Sequence, residues 1–314
     1  MIAFLKLIRL PNLLIIAFTQ YMVRWFLIYP ILKFKTYQLQ MDETSFFFLS
    51  LSTVMIAAAG YIINDYFDTK IDRVNKPERL LIGRSVKRRV AMGAHVVLNL
   101  IAILIGVGLC YRAGFWKLGG IYIVWAAGLW YYSTTLKRKF LIGNLVIALF
   151  IAFVPLIVGT IEIGLDYRCY STVEEPVNFN DIRNWVLGIS VFALITTLIR
   201  EMIKDIEDYE GDKDFGCRTL PIVLGINNAK TIIVTLVVIT MSALVYIQKM
   251  QLEANDIQSF YYFSAFLQVP FAYLSYHLIR AKEKSDYHFA SVLSKVIMVL
   301  GICYLFLFSY MLNA

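Results

Sequence analysis

The sequence predicts an all-α, polytopic membrane protein with nine transmembrane helices. Hydrophobic residues make up 59% of its 314 residues and charged residues only 17%, and the mean hydropathy is +0.66. A soluble protein of this size cannot keep so much apolar surface away from water. Apolar stretches long enough to cross a bilayer recur along the chain, and the loops between them alternate in charge.

Nine apolar stretches account for the nine predicted helices. They lie near residues 10–29, 45–64, 89–110, 115–134, 141–163, 183–203, 228–248, 257–279 and 288–311. The first follows Lys6 and Arg9, as the apolar part of a signal peptide would. Because Arg24 interrupts it and no small-residue cleavage site follows, we expect an uncleaved span.

The charges of the loops predict an orientation. The segments 65–89, 135–140 and 280–284 are rich in lysine and arginine. The segment after the fifth stretch is instead acidic, with Glu162, Asp166, Glu174, Glu175 and Asp181. The positive-inside rule therefore places the N-terminus and the basic loops in the cytoplasm and the C-terminus outside. We expect the membrane to be the cell (inner) membrane. These loops explain the net charge of +8, so we expect no nucleic-acid partner.

Two acidic motifs carry the distinctive chemistry, at residues 64–72 (NDYFDTKID) and 204–212 (KDIEDYEGD). Each has three aspartates at positions i, i+3 and i+7, which fall within about 60° of one another on a helix. They are Asp65, Asp68 and Asp72 in the first motif, and Asp205, Asp208 and Asp212 in the second. If the helices continue through the motifs, each presents a stripe of carboxylates.

The equivalent aspartates lie 140 residues apart (205 − 65), four spans later in each case. This spacing predicts one membrane-embedded domain, residues 1–314, built from two four-helix halves. The halves cover about 1–137 and 138–285, and a ninth helix covers about 286–314. Both motifs would then lie at the same face of the membrane, in cytoplasmic cap loops.

Clustered carboxylates repel one another, so a cation is expected between them. Oxygen ligands without nearby histidine or cysteine favour a hard ion, Mg²⁺ or Ca²⁺. Basic residues that can hold phosphate oxygens lie at the same face: Arg79, Arg84, Lys137, Arg138, Arg200 and Lys204. The P-loop pattern GxxxxGK[ST] is missing from the sequence. The residues therefore indicate a membrane enzyme that binds an isoprenoid diphosphate, with its head on Mg²⁺ and its tail among the helices.

With these motifs in place, the sequence resembles the UbiA superfamily of intramembrane prenyltransferases. The resemblance covers nearly the whole chain and rests on four pieces in the family's order. They are LIRLPN at 7–12, NDxxDxxxD at 64–72, YSxxLKR at 132–138 followed by Gly143-Asn144, and RExxKDxxDxxxD at 200–212 followed by TLP at 219–221. The resemblance implies a helical bundle with a central cavity, and Mg²⁺-dependent transfer of a prenyl group from its diphosphate to a hydrophobic acceptor.

The resemblance also implies roles for individual residues. Those expected to bind Mg²⁺, directly or through water, are Asn64, Asp65, Asp68, Asp72, Asp205, Asp208 and Asp212. Those expected to bind the diphosphate are Arg79, Lys137, Arg138 and Lys204. Those expected to reach the cavity are Arg9, Asn12, Tyr61, Tyr131 and Tyr132.

The second motif is most similar to that of the digeranylgeranylglyceryl phosphate synthase branch, which prenylates a glycerol-phosphate ether. The 4-hydroxybenzoate and menaquinone branches are the alternatives for the acceptor. The segment NKPERLLIGR at 75–84 departs from that branch, because a second proline and a Pro-Ser pair are missing. A transporter is the competing class of protein. Transporter sites are expected near the bilayer midplane, whereas these motifs lie at span ends.

Overall fold

The protein is helical, as the sequence predicts. The computed structural model describes residues 2–75, 77, 80–170 and 178–313. Within this part of the chain the only β-structure is an isolated bridge between Ile82 and Val86.

The α-helices, in chain order, are α1 (Ile2–Leu7), α2 (Leu10–Val23), α3 (Tyr29–Phe34), α4 (Glu43–Asn75), α5 (Arg88–Arg112), α6 (Trp116–Thr134), α7 (Ile142–Tyr170), α8 (Asn180–Glu207), α9 (Tyr209–Asp214), α10 (Leu220–Leu224), α11 (Ile226–Glu253), α12 (Ile257–Phe263), α13 (Val269–Arg280) and α14 (Lys284–Asn313). A short 3₁₀ turn, Leu136–Arg138, connects α6 to α7.

Seven helical segments of the described chain are long and apolar enough to cross a membrane. They are Leu10–Phe34, α4, α5, α7, α8, α11 and α14, and each coincides with a predicted stretch. The stretches at 115–134 and 257–279 are helical too, as α6 and as α12 to α13. Trp and Tyr side chains lower the hydropathy of α6, and Gln, Ser and Tyr side chains lower that of the segment 257–279. The total of nine spans therefore stays a prediction.

Two of the helical segments contain a widened π-helical turn. Arg24–Ile28 joins α2 to α3, and Ser264–Gln268 joins α12 to α13. In both cases a proline, Pro30 or Pro270, follows the turn by two residues. Proline has no N–H and its ring crowds the carbonyl four residues earlier, and a π-turn relieves this conflict without ending the helix.

The chain forms two compact units. One comprises residues 1–137 and 153–187, and the other residues 138–152 and 188–314. In the first unit α4 packs along α5 and α6. Helices α5 and α6 approach closely at Gly106, where an added Cβ would lie 2.5 Å from the Tyr122 ring. In the second unit α11 packs on α13, and α13 on α14.

Helix α4 carries the first acidic motif and is anchored at both ends. Asp42 caps its start, accepting from the backbone N–H of Ser45 (2.8 Å) and the Ser45 hydroxyl (2.6 Å). These bonds hold the pKa of Asp42 below its usual value, and the bond from the Ser45 hydroxyl has the larger effect. Towards the other end, Ile62 packs with Leu7, Ile82 and Ala91 in a buried cluster. At 33 residues α4 is about 50 Å long, which exceeds the roughly 30 Å hydrocarbon core.

The placement of Glu162 and Asp166 in an acidic loop is wrong. Helix α7 continues to Tyr170, and both side chains are fully buried within it. Glu162 is paired with Arg24, which is also fully buried, at 2.9 Å between Oε1 and Nε. Arg24 donates a further hydrogen bond to the Met41 carbonyl. The positive charge of Arg24, which interrupts the first span, is thus paired with a buried carboxylate. Glu174 and Glu175 lie outside the described residues.

Candidate active site

The first acidic motif lies on regular helix, as predicted. Helix α4 continues without interruption through residues 64–72 and ends at Asn75. Asn64, Asp68 and Asp72 are therefore spaced four residues apart and lie along one face. Asp68 is the most buried of the three, at 5% exposure. A carboxylate removed from water to this degree is stable only with cationic or hydrogen-bonding partners.

Lys137 supplies the cation for Asp68. Its ammonium group donates to Oδ2 of Asp68 and lies 3.5 Å from Oδ1 of Asn64. Lys137 comes from the 3₁₀ turn after α6, so its approach depends on the packing of α6 along α4. The other oxygen of Asp68, Oδ1, is buried and accepts no hydrogen bond from the described residues. Two of the predicted site residues, one acidic and one basic, are thus brought together.

Arg9 forms the second ion pair of this motif. Its Nη2 lies 2.8 Å from Oδ1 of Asp65, and its guanidinium lies 5.0 Å from the centre of the Tyr61 ring. Arg9 has a left-handed backbone (φ 52°) and directly precedes α2, which has Pro11 in its first turn. This conformation is unfavourable for a side chain larger than glycine. The local turn therefore directs Arg9 towards the motif.

The remaining predicted residues of this unit differ in their exposure to solvent. Asn12 and Tyr132 are half-buried, and Tyr131 is 52% exposed. Asp72 is half-buried at the motif's far end. Arg79 lies outside the described residues, so its role stays a prediction. Among the predicted cavity residues, Arg9 contacts the motif through Asp65 and also contacts the Tyr61 ring.

The second acidic motif is not on one regular helix, and in this respect the prediction is wrong. Helix α8 ends at Glu207, Asp208 has non-helical angles (φ −98°, ψ 10°), and α9 begins at Tyr209. Aspartate and glycine are weak helix formers, and the segment DYEGD has both. The spacing i, i+3, i+7 consequently does not place Asp205, Asp208 and Asp212 on one continuous helical face.

Hydrogen bonds fix the side chains before this break. Asn144 donates from Nδ2 to Oδ2 of Asp205 at 2.8 Å. Glu201 accepts from Arg200 Nη1 at 2.7 Å and from Lys204 Nζ at 3.0 Å. The ammonium group of Lys204, predicted to bind the diphosphate, is thus held by an acidic neighbour one helical turn earlier.

Glu207 is paired with His288, a contact that helical spacing in the sequence does not predict. It is buried, and its Oε1 lies 3.0 Å from Nδ1 of His288 on α14.

Arg138, predicted to bind the diphosphate, is exposed, and its backbone carbonyl accepts a hydrogen bond from the N–H of Arg218 at 2.8 Å. Asn144 and Glu201 belong to the motif pieces GN and RE, and that membership is the signal in the sequence that points to them. Sequence offers no comparable signal for His288.

The donor set suits a hard cation. The motifs offer carboxylate and amide oxygens, and Oδ1 of Asp68 is a buried acceptor without a hydrogen bond from the described residues. Within those residues, no three His, Cys, Asp or Glu side chains are gathered closely enough to enclose a metal on their own. Mg²⁺ does not require such a cage, because it commonly takes one or two carboxylates plus water and substrate phosphates. The residues present therefore fit Mg²⁺.

Known proteins share this sequence pattern. Residues 36–298 match the UbiA prenyltransferase family. The digeranylgeranylglyceryl phosphate synthase of Methanosphaera stadtmanae is 30% identical over 256 residues, covering 80% of this chain and 83% of that protein. The enzyme of the same name from Saccharolobus solfataricus is 34% identical over 193 residues, covering 59% of this chain and 60% of that one. This second match thus spans less than two thirds of the relative's length.

Solved structures share the fold. One, described as giving insights into the biosynthesis of digeranylgeranylglyceryl phosphate synthase in membranes, has a TM-score of 0.60 at 21% identity and covers 98% of this chain and 97% of that one. A UbiA homologue from Archaeoglobus fulgidus, bound to GPP and Mg²⁺, has a TM-score of 0.55 at 15% identity over 96% and 98% of the two chains. The matched residues, the relatives and the fold agree, and the chain belongs to the UbiA prenyltransferase family.

Proposed function

We propose that this protein is a Mg²⁺-dependent membrane prenyltransferase, with an isoprenoid diphosphate as donor and a glycerol-phosphate ether lipid as acceptor. The observation that carries the proposal is the Asp68–Lys137 pair. It places a buried carboxylate, with one oxygen still available, beside a cation that can hold phosphate. The names of the relatives support this acceptor class. The 4-hydroxybenzoate and menaquinone acceptors remain the alternatives.

The reaction breaks the C–O bond between the allylic carbon and the diphosphate, whose oxygen keeps the electron pair. The acceptor hydroxyl forms the new C–O bond and gives up its proton to the departing diphosphate. When bound, Mg²⁺ neutralises the charge that develops on the leaving group. Lys137 would hold a diphosphate oxygen, and Arg9 would hold the Asp65 carboxylate in place. Asn144 would orient the Asp205 carboxylate.

The full sets of proposed ligands are those that the sequence predicts. Mg²⁺ would be bound by Asn64, Asp65, Asp68, Asp72, Asp205, Asp208 and Asp212. The diphosphate would be bound by Arg79, Lys137, Arg138 and Lys204. The N-terminus and the motif loops would face the cytoplasm, with the C-terminus outside, in the cell (inner) membrane among its lipids.

A turnover assay with two acceptors tests the proposal. Membranes containing the protein are given radiolabelled geranylgeranyl diphosphate with either geranylgeranylglyceryl phosphate or 4-hydroxybenzoate, with and without EDTA. We expect a labelled ether lipid of the mass of the prenylated acceptor, formed with the first acceptor only and lost in EDTA. Label that accumulates unchanged inside sealed vesicles would instead indicate a transporter. A labelled aromatic product would select the quinone-precursor alternative.

A further inference from the structure

A second binding site is indicated by a cavity in the unit that contains residues 188–314. The cavity has a volume of about 1240 Å³ and is lined by the start of α11 and by the segment between α13 and α14. Tyr209 and Tyr287 also contribute to its wall. None of the residues that line it belongs to the proposed metal or diphosphate ligands, so the cavity needs its own explanation.

The lining of the cavity is positively charged. Lys230, Arg280 and Lys282 belong to it, and no Asp or Glu is among its described lining residues. Lys230 is held in place, because its ammonium group donates to the carbonyls of Ala281 (2.8 Å) and Ile279 (3.2 Å). The guanidinium of Arg280 lies 4.5 Å from the centre of the Tyr276 ring.

The acidic side chain of Asp286 interacts with Lys230 without lining the cavity. Its Oδ2 accepts from the backbone N–H groups of Lys282 (2.8 Å) and Glu283 (3.0 Å). Asp286 thus caps the turn before α14. It offsets part of the positive charge, but the lining itself has three basic side chains and no acidic one among its described residues, which favours an anion.

The backbone adds to this preference. Helix α11 is 28 residues long, and its first residues, from Ile226, lie in the cavity wall. The N–H groups of a first helical turn have no acceptor within the helix, and the helix dipole places partial positive charge there. Gly225 precedes the turn with φ 81° and carries no side chain that would cover it.

Apolar side chains next to the cations show what kind of anion fits. Ile279 is 64% exposed, and Leu224 is exposed to a lesser degree; both line the cavity. The volume also exceeds what a free phosphate ion fills. Ile279 ends the predicted span 257–279, and Leu224 lies just before the predicted span 228–248. The site would therefore lie where lipid headgroups meet hydrocarbon chains. An amphiphile with a phosphate head matches this combination of charge and apolar surface.

We propose that this cavity binds the phosphate headgroup of an anionic membrane lipid, in addition to the donor site. Lys230, Arg280, Lys282 and the first turn of α11 contact the phosphate, and the chains lie along Leu224 and Ile279. Basic pockets between membrane helices bind anionic headgroups in this manner. Because Tyr209 directly follows Asp208, a bound headgroup also holds the segment that carries the second acidic motif.

Native mass spectrometry of the purified full chain tests the proposal with phosphatidylglycerol and phosphatidylcholine as probes. We expect one phosphatidylglycerol to be retained, at least tenfold more tightly than phosphatidylcholine. A cation near the membrane surface contributes about 1 kcal/mol, or roughly fivefold, to such binding. The double variant Arg280→Gln, Lys282→Gln should therefore bind phosphatidylglycerol about 30-fold more weakly. The matched control Lys87→Gln, Arg89→Gln removes two exposed cations elsewhere, and its binding should equal that of the unmodified protein.

Three results would overturn the proposal. They are equal binding of both lipids, equal weakening by the control variant, and displacement of phosphatidylglycerol by excess inorganic phosphate, which would make free phosphate the ligand. Hydrogen exchange on the unmodified protein supplies a measurement that does not depend on variant folding. Phosphatidylglycerol should slow exchange at 226–230 and 279–282 relative to phosphatidylcholine, and unchanged exchange there would count against the site. These readouts measure binding, so they stand or fall separately from prenyl transfer.

Discussion

Replacing Asp68 by asparagine should reduce turnover by about 10²–10³. The side chain is 5% exposed, so solvent does not screen its charge, and asparagine has nearly the same volume but no charge. A single lost charge contact in a water-poor site weakens transition-state stabilisation by about 3–4 kcal/mol, which gives this factor. The substitution also leaves the ammonium group of Lys137 without its ionised partner.

Glu210→Gln is the matched control, because it makes the same charge change in the other motif. Glu210 is exposed on α9. Exposed ionic contacts contribute about 0–1 kcal/mol, so turnover should fall by no more than about fivefold. Initial rates of labelled prenyl transfer, normalised to protein in the membrane, give both values. The Mg²⁺ concentration for half-maximal rate should rise for Asp68→Asn only.

The reasoning is refuted if Asp68→Asn retains more than a tenth of the activity, or if Glu210→Gln is equally damaging. The first result would mean that Asp68 is a structural partner of Lys137. The second would mean that net acidity, and not burial beside a cation, supports the reaction.

Three further outcomes are expected. Excess EDTA should abolish prenyl transfer and added Mg²⁺ should restore it, as followed by product formation. Arg24→Met should lower the free energy of unfolding in detergent by about 3–5 kcal/mol, because it leaves Glu162 buried without its cation; Lys35→Met, which removes an exposed ion pair, should cost at most about 1 kcal/mol. In a background without native cysteines, single cysteines at Lys70 and Lys213 should both be labelled by an impermeant reagent from the cytoplasmic side only, and labelling from opposite sides would contradict the proposed orientation.

The features that sequence predicts well are those set by neighbouring residues. The hydropathy of 45–64 and the helical spacing of Asn64, Asp68 and Asp72 both follow from local order, and α4 confirms them. The family motifs likewise predict a site role for Lys137, and the structure places its ammonium group against Asp68.

Contacts between residues far apart in the sequence are not predicted, because they depend on how the helices pack. Local sequence patterns carry no information about that packing. From the sequence, Arg24 is interpreted as a charge that interrupts a span and Glu162 as an acidic loop residue. In the structure the two side chains form a buried ion pair. The break at Asp208 is a similar case. A prediction from helical spacing assumes a continuous helix. In the structure α8 ends at Glu207, and this residue is paired with His288 of another helix.

The two π-turns have a consequence for how the chain tolerates changes in length. A π-turn accommodates one residue more than a regular turn, so the helices on either side keep their facing. Deleting a residue within Arg24–Ile28 or Ser264–Gln268 therefore converts the bulge to an ordinary turn. The deletion restores the proline conflict that the bulge relieves, but it leaves the flanking helices in register. The same deletion at Val54, within the regular helix α4, turns everything beyond it by about 100°. That rotation would carry the first acidic motif away from Lys137, so a single-residue deletion that the bulges accommodate is excluded from α4.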